Sequence, residues 1–162
     1  MEKKKLILDT TFILPLFGIK IIDLPHYQVY FRKIWNEGLD GFDIYLPSPC
    51  LIEVMFKLVS EYKKQKNFEI INRYPLVIPS IMISKIIQII NPLTDPIASM
   101  IAIKLRHAGH SDLLDCWIGA SAAKLNGILL TEDKELSAIL SSIPETKSVL
   151  VWFWKDFTNL FL

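Results

Sequence analysis

Four acidic residues lie where hydrophobic segments of the chain begin or end: Asp9, Glu53, Asp115 and Asp133. Asp9 directly follows the apolar run 6–8, and Asp133 follows the largely apolar run 127–131. A carboxylate at the end of a parallel strand reaches the edge of the sheet where open α/β folds bind their ligands. This placement favours a chemical role for these acids over an ordinary position on the protein surface.

Carboxylates gather at one place only when a positive charge joins them. Two bare unit charges about 4 Å apart repel each other by roughly 4 kcal/mol at an effective dielectric constant near 20. A divalent cation removes that repulsion, and hard cations such as Mg²⁺ prefer oxygen ligands and keep several waters. Such waters can be activated for attack on a phosphate group. The acids therefore predict a site for Mg²⁺ or Mn²⁺.

Three of these acids also have a structural interpretation. Asp9 and Asp133 each stand before a segment that can form a helix, which either side chain can cap. Glu53 lies in the mostly apolar stretch 51–56, where an ionised carboxylate needs a partner, and Lys57 at the i+4 position offers an ion pair.

Asp112 and Asp115 are three residues apart, so both can point to one side of a helix. Asp112 is close to the helix N-terminus and can simply complement the helix dipole. Asp115 is one turn further in, ahead of small residues that indicate close packing, and is the predicted ligand. The histidines carry little signal: His107 and His110 flank Gly109 at a helix end, which predicts a dipole interaction or surface exposure.

Apolar runs alternate with amphipathic segments along the chain. The predicted strands are residues 6–9, 42–46, 85–90, 127–130 and 148–152. The predicted helices are residues 25–37, 49–66, 96–107, 112–125 and 134–140. This alternation over short loops predicts an α/β fold with three α/β/α layers and a central parallel sheet of about five strands.

Two details of this prediction concern helical segments. The helix 49–66 is predicted to bury Leu51, Met55, Leu58 and Val59. Residues 68–80 stay ambiguous, because Pro75 and Pro79 break any long element.

Length and composition predict one domain spanning residues 1–162, long enough to bury a core. The apolar segment 81–90 is short and carries Lys85 and Gln88, so no membrane span is predicted. The basic N-terminus precedes too few apolar residues for a secretory signal. Cys50 and Cys116 form neither a disulfide framework nor a Cys-x-x-Cys pattern. A reduced, cytoplasmic protein is the expectation.

The formal net charge of +1 bears on binding partners. A protein that binds nucleic acid mainly through a broad basic surface usually carries more positive charge. Any nucleic-acid role of this chain must therefore depend on a local site, where bound metal can supply positive charge.

Four pieces of the sequence, taken in order, resemble the PIN domain, the nuclease fold that includes the VapC-type toxins of prokaryotic toxin–antitoxin pairs. The pieces are residues 6–11, 47–53, 112–122 and 129–133. They hold Asp9, Glu53, Asp115 and Asp133 in the family's order, and Asp133 follows Asp115 by 18 positions, as in the family. The resemblance covers nearly the whole chain.

The resemblance implies Mg²⁺- or Mn²⁺-dependent endonucleolytic cleavage of RNA, with Asp9, Glu53, Asp115 and Asp133 as the metal-binding catalytic acids. Thr10 and Thr131 match family positions near the site and become auxiliary residues. A homodimer is also implied and, for a toxin, an antitoxin partner.

Two departures from the family concern length and charge. The chain is longer than compact toxins between Glu53 and Asp112, a departure that bears on the toxin prediction and not on the nuclease prediction. Asp112 is an extra acid that can join a second metal shell or only cap its helix. The alternative function is a catalytically weak or inactive PIN-like interaction module whose interface uses the aromatic residues of 27–35 and 152–154. Core packing and dimer contact are the other explanation for those aromatic residues.

Overall fold

In the computed structural model, which describes residues 2–161, five short strands form one parallel sheet. The strands are β1 Lys4–Leu8, β2 Phe42–Pro47, β3 Ile87–Ile90, β4 Ile128–Leu130 and β5 Leu150–Trp152. Their spatial order is β3-β2-β1-β4-β5, so β1 lies at the centre. Leu6, Ile7 and Leu8 are buried, as expected for a strand covered on both faces. The predicted parallel sheet is confirmed.

Seven helices surround the sheet in the described part of the chain. They are α1 Tyr27–Glu37, α2 Pro49–Gln65, α3 Glu69–Met82, α4 Pro96–His107, α5 Leu113–Leu125, α6 Lys134–Ser142 and α7 Trp154–Phe161. Two 3₁₀ segments, Thr10–Phe17 and Pro92–Thr94, follow β1 and β3. The α/β class predicted from sequence is therefore confirmed, with helices following the strands as parallel connections require.

The carboxyl ends of β1 and β4 lie side by side. Leu8 of β1 pairs with Leu130 of β4, and the Asp9 amide donates to the Leu130 carbonyl at 3.1 Å. Asp9 and Thr131, which follow these paired residues, are thereby brought together although more than a hundred positions separate them in sequence. This rim of the sheet is where the acidic residues meet.

Helix α3 corrects the expectation that Pro75 and Pro79 break residues 68–80, because both prolines lie inside it. The prolines are four residues apart and exposed, so they share the solvent side of the helix. There water can solvate the carbonyl groups that lose a backbone partner. Ile70 and Ile81 anchor the other side in the core.

The aromatic residues of 27–35 and 152–154 are used largely in the core. Tyr27, Phe31 and Trp154 are buried, and the ring centroids of Tyr27 and Trp154 are 5.0 Å apart. The indole nitrogen of Trp154 donates to the Pro25 carbonyl at 2.9 Å. These contacts favour the core-packing explanation.

In the described residues no helix is both long enough and apolar enough to span a membrane.

Candidate metal centre

Three acids from separate elements converge at the carboxyl end of the sheet. Asp9 follows β1, Glu53 lies in the second turn of α2, and Asp115 lies in the first turn of α5. One carboxylate oxygen from each lies within 4.8 Å of those from the other two. This is the clustering expected from the sequence for these three positions.

The carboxylate of Asp9 is buried and held at both oxygens. Oδ1 accepts a hydrogen bond from the Thr10 amide at 2.5 Å, and Oδ2 accepts one from the Thr131 hydroxyl at 2.6 Å. Burial raises the pKa of Asp9 to about 6; the Thr131 hydrogen bond opposes that shift, and the charge of Glu53 adds to it. Asp9 also occupies the N-cap position of the 3₁₀ segment, so its structural and chemical interpretations coexist.

Asp115 carries the largest pKa shift among the acids of the cluster. Burial, followed by the charges of Asp9 and Asp112, raises the pKa of Asp115 to about 8. The charges of Glu53 and Asp133 act in the same direction. The side chain therefore sits in a negative field that disfavours its ionised form.

The two carboxylate oxygens of Glu53 differ in their contacts. Oε1 lies 3.9 Å from the Lys57 ammonium, so the i+4 ion pair expected from sequence is present but long. Oε2 is buried and has no hydrogen-bond partner among residues 2–161. A buried carboxylate oxygen without a partner is costly, so this atom is suited to a cation.

The two carboxylate oxygens of Asp133 also differ in their contacts. Oδ1 accepts a hydrogen bond from the Leu136 amide at 2.9 Å, which caps α6 as the alternative interpretation predicts. Oδ2 lies 3.5 Å from Nε2 of His110. Asp133 shares a group of candidate ligand atoms with Asp115 and His110, and its charge raises the pKa of Asp9 and of Asp115.

Comparison with known proteins identifies the fold family. Residues 6–139 match the family model of the PIN domain, which covers more than half of the chain. The chain belongs to the PIN domain family. The sequence as a whole matches no curated protein.

Solved structures similar to this PIN domain include toxin–antitoxin proteins. VapBC2 from Rickettsia felis, bound to a DNA fragment from their promoter, is similar with a TM-score of 0.59 and 15% identity, covering 93% of this chain and 98% of that chain. VapBC-5 from Mycobacterium tuberculosis, a member of the VapBC family of toxin-antitoxin systems, has a TM-score of 0.54 and 17% identity, covering 91% of this chain and 97% of that chain. PAE2754 from Pyrobaculum aerophilum has a TM-score of 0.56 and 16% identity, covering 98% of this chain and 88% of that chain. At these identities the likeness shows a shared fold.

His110 is the residue of this PIN domain that sequence reasoning missed. The expectation of dipole interaction or exposure is wrong, because His110 is only 2% exposed and lies between two acids. The turn after α4 explains this: the Gly109 amide bonds to the Arg106 carbonyl and the His110 amide to the Leu105 carbonyl. Such a Schellman turn folds the residue after the glycine back onto the helix. Gly109 was the feature of the sequence from which this turn could have been predicted.

Asp112 is outside both groups of candidate ligands. It is the N-cap of α5, where its Oδ1 accepts hydrogen bonds from the Leu114 amide at 2.8 Å and the Asp115 amide at 3.4 Å. The structure therefore favours the capping interpretation.

Replacing Asp112 should separate capping from chemistry. Asn caps a helix about as well as Asp, so Asp112→Asn should leave stability and any metal-dependent cleavage of RNA nearly unchanged. Asp112→Ala should lower the free energy of unfolding by about 1 kcal/mol. Denaturant unfolding and an RNA cleavage assay on both variants measure these effects. Loss of cleavage in Asp112→Asn would place Asp112 among the catalytic acids instead.

Thr131 links two of the acids through one hydroxyl. The side chain is fully buried, donates to Oδ2 of Asp9 and accepts from the Asp133 amide at 3.0 Å. Thr10 is also buried, and its hydroxyl oxygen has no hydrogen-bond partner in the described chain. Both auxiliary positions thus adjoin the site.

Thr131→Val should destabilise the metal-free protein although the side chain keeps its shape. The change leaves an Asp9 oxygen and the Asp133 amide without their partner, which costs about 1–3 kcal/mol for a buried group. Urea unfolding in a chelator measures the loss. Thr131→Ser keeps the hydroxyl and is the matched control. Equal stability of the two variants would contradict a bridging role.

Proposed function

We propose that residues 1–162 form a single PIN domain that hydrolyses phosphodiester bonds of RNA as a divalent-metal-dependent endoribonuclease. Asp9, Glu53, Asp115 and Asp133 are the proposed catalytic and metal-binding residues. The observation that carries the proposal is the meeting of Asp9, Glu53 and Asp115, with ligand oxygens within 4.8 Å of one another. Glu53 also has a buried carboxylate oxygen, Oε2, without a hydrogen-bond partner among residues 2–161.

The residues present fit Mg²⁺ or Mn²⁺. The raised pKa values of Asp9 and Asp115 mean that the surrounding protein does not compensate their ionised forms. Among residues 2–161, only Lys57 and His110 bring a basic group within 4.0 Å of the four proposed acids. Oxygen ligands of this kind suit hard divalent cations. When bound, the cation supplies activation of a water and stabilisation of the phosphate leaving oxygen.

The chain's own contribution is to hold the acids in place. Thr131 fixes Asp9, and the first turn of α6 fixes one oxygen of Asp133. The side chains of Asp115 and Asp133 keep 18% and 27% exposure, so a phosphate group can approach from solvent. With a net charge of only +1, recognition of the RNA depends on this local site.

A cleavage assay with single-stranded RNA tests the proposal. End-labelled RNA should be cut internally when Mg²⁺ or Mn²⁺ is present and remain intact in a chelator. Calorimetric titration with Mn²⁺ is the companion measurement, because a pure interaction module need not bind metal. A protein that binds no Mn²⁺ and cuts no RNA would favour the alternative function, a catalytically inactive PIN-like interaction module.

We further propose that the chain is the toxin of a VapBC-type pair and acts in the cytoplasm. The fold shared with VapBC proteins supports this. Helix α2 also exposes the apolar side chains of Ile52, Met55, Phe56 and Val59, a patch suited to an antitoxin. Co-expression with a small neighbouring reading frame should restore growth that the chain alone arrests. Growth unaffected by the chain alone would speak for a stand-alone nuclease.

A homodimer is the proposed assembly. Helix α4 exposes Ile97, Met100 and Ile103, which recur every three residues and form one apolar stripe. A second copy would remove this stripe from water. Sedimentation of the wild-type protein and of Ile103→Glu tests the proposal, since the added charge should convert dimer to monomer. Phe68→Glu, at another exposed apolar residue, is the control.

A further inference from the structure

The imidazole of His110 is a buried polar group without a partner. The residue is 98% buried, and neither ring nitrogen has a hydrogen-bond partner among residues 2–161. Nearly all buried polar side-chain atoms in proteins do have a partner, so an exception calls for a ligand or another explanation. The ring faces the acidic cluster, which provides the explanation.

The distances around Nε2 suit coordination better than hydrogen bonding. Nε2 lies 3.4 Å from Oδ2 of Asp115 and 3.5 Å from Oδ2 of Asp133. Charge-assisted hydrogen bonds are shorter, about 2.7–2.9 Å. Neighbouring ligand atoms around an ion with bonds of about 2.0–2.1 Å are separated by about 3.0–3.4 Å. The three side chains form one group of ligand atoms within 4.8 Å.

This group is distinct from the cluster of Asp9, Glu53 and Asp115, with which it shares only Asp115. We infer that His110, Asp115 and Asp133 form a second cation position, and that His110 is a metal ligand there. The inference rests on the proposed nuclease function. Two positions joined by one shared carboxylate are typical of enzymes that use paired metals on phosphate.

A nitrogen ligand changes which metal this position prefers. Imidazole favours transition metals, whereas sites built only from carboxylates and waters suit Mg²⁺. The position is therefore selective for a divalent transition metal. The other ring nitrogen, Nδ1, lies 3.8 Å from Oε1 of Glu135. At this distance Glu135 makes no hydrogen bond to the imidazole, although metal-binding histidines usually donate from the other ring nitrogen to such a carboxylate.

Pulsed electron paramagnetic resonance of protein loaded with Mn²⁺ tests the assignment directly. A coordinated imidazole gives a ¹⁴N modulation that carboxylates and water do not give. We expect this modulation in the wild-type protein and in His107→Gln, whose histidine is exposed at the end of α4. His110→Gln should abolish the modulation and lose the second equivalent of Mn²⁺ in calorimetric titration.

Two acid variants distinguish this inference from the proposed function. Asp133→Asn should weaken the ¹⁴N modulation, whereas Asp9→Asn, which belongs only to the other group, should retain it while losing cleavage. Wild-type protein that cuts RNA with Mn²⁺ but shows no ¹⁴N modulation would overturn the inference and leave the proposed function standing. Protein that binds no Mn²⁺ would overturn both.

Discussion

Asp9→Asn should reduce metal-dependent RNA cleavage by more than about 100-fold and leave the fold intact. Loss of a residue that merely supports a metal ligand costs about 10–100-fold, and a charged ligand should cost more. The carboxylate now accepts from the Thr10 amide at one oxygen and from the Thr131 hydroxyl at the other. The amide of Asn keeps one oxygen that can accept from the Thr10 amide, and its NH₂ group can donate to the Thr131 hydroxyl oxygen. The substitution also removes a buried charge, so the metal-free variant should be no less stable than the wild-type protein at neutral pH. Cleavage rates, circular dichroism and thermal melting measure these effects.

Asp95→Asn is the matched control. Asp95 is also an N-cap, since its Oδ1 accepts from the Ile97 and Ala98 amides at 2.9 Å, but it pairs with Lys124 away from the acidic cluster. Asn preserves capping, so cleavage should stay at the wild-type level. Full activity of Asp9→Asn, or equal loss in both variants, would refute the assignment of Asp9.

The acids could be found in the sequence because of where they stand. Asp9 and Asp133 follow apolar runs, and a strand end has a defined place in a parallel sheet. Apolar runs do not show which strands are neighbours, so the meeting of Asp9 and Thr131 depended on the resemblance to the PIN domain. The order of strands in space shows why that meeting occurs, because β1 and β4 are adjacent.

Helix α2 shows where hydrophobic spacing fails. The predicted burial of Met55 and Val59 is wrong, since both side chains are exposed, whereas the predicted burial of Leu58 is confirmed. The residues that α2 buries include Cys50 and Val54, which share an i, i+4 spacing with Leu58. Two apolar stripes on one helix have the same period, and only the neighbouring elements decide which one faces the core.

The burial of His110 beside the acids could not be predicted from residue spacing, because its position depends on a turn. The interval from Gly109 to Asp115 has no metal-binding periodicity, and a histidine after a helix is ordinarily at the surface. Burial follows from the Schellman hydrogen bonds, which direct His110 towards α5 and Asp115. Polar residues that follow such a glycine therefore merit attention as ligands.

The metal-free protein should lose stability as pH rises from about 4 to 8. The pKa of Asp9 is raised to about 6 and that of Asp115 to about 8, both from 3.8. Above about pH 4 the unfolded chain has released these protons, whereas in the folded chain Asp9 holds its proton up to about pH 6 and Asp115 up to about pH 8. Since the unfolded state binds fewer protons, the free energy of unfolding falls with increasing pH. The contribution is complete below the unfolded pKa and is lost as pH passes the folded values.

A bound cation should reverse this loss because it binds the ionised carboxylates. Metal affinity should therefore rise over the same pH range. A cation at about 100 times its Kd adds about 2.7 kcal/mol, which raises Tm by about 5–10 °C for a protein of this size. Thermal melting with chelator and with Mg²⁺, at pH 5.5 and pH 8, measures both effects.

Asp115→Asn tests the contribution of Asp115 to this pH dependence. Without the Asp115 carboxyl, the decline of Tm in chelator should be smaller, and Mg²⁺ should stabilise the variant less at pH 8. Asp43→Asn is the control, because Asp43 lies in β2 and pairs with Lys3, remote from the strand ends. A metal-free melting temperature that stays constant between the two pH values would mean that the clustered acids do not repel one another, and the electrostatic case for a cation would fail.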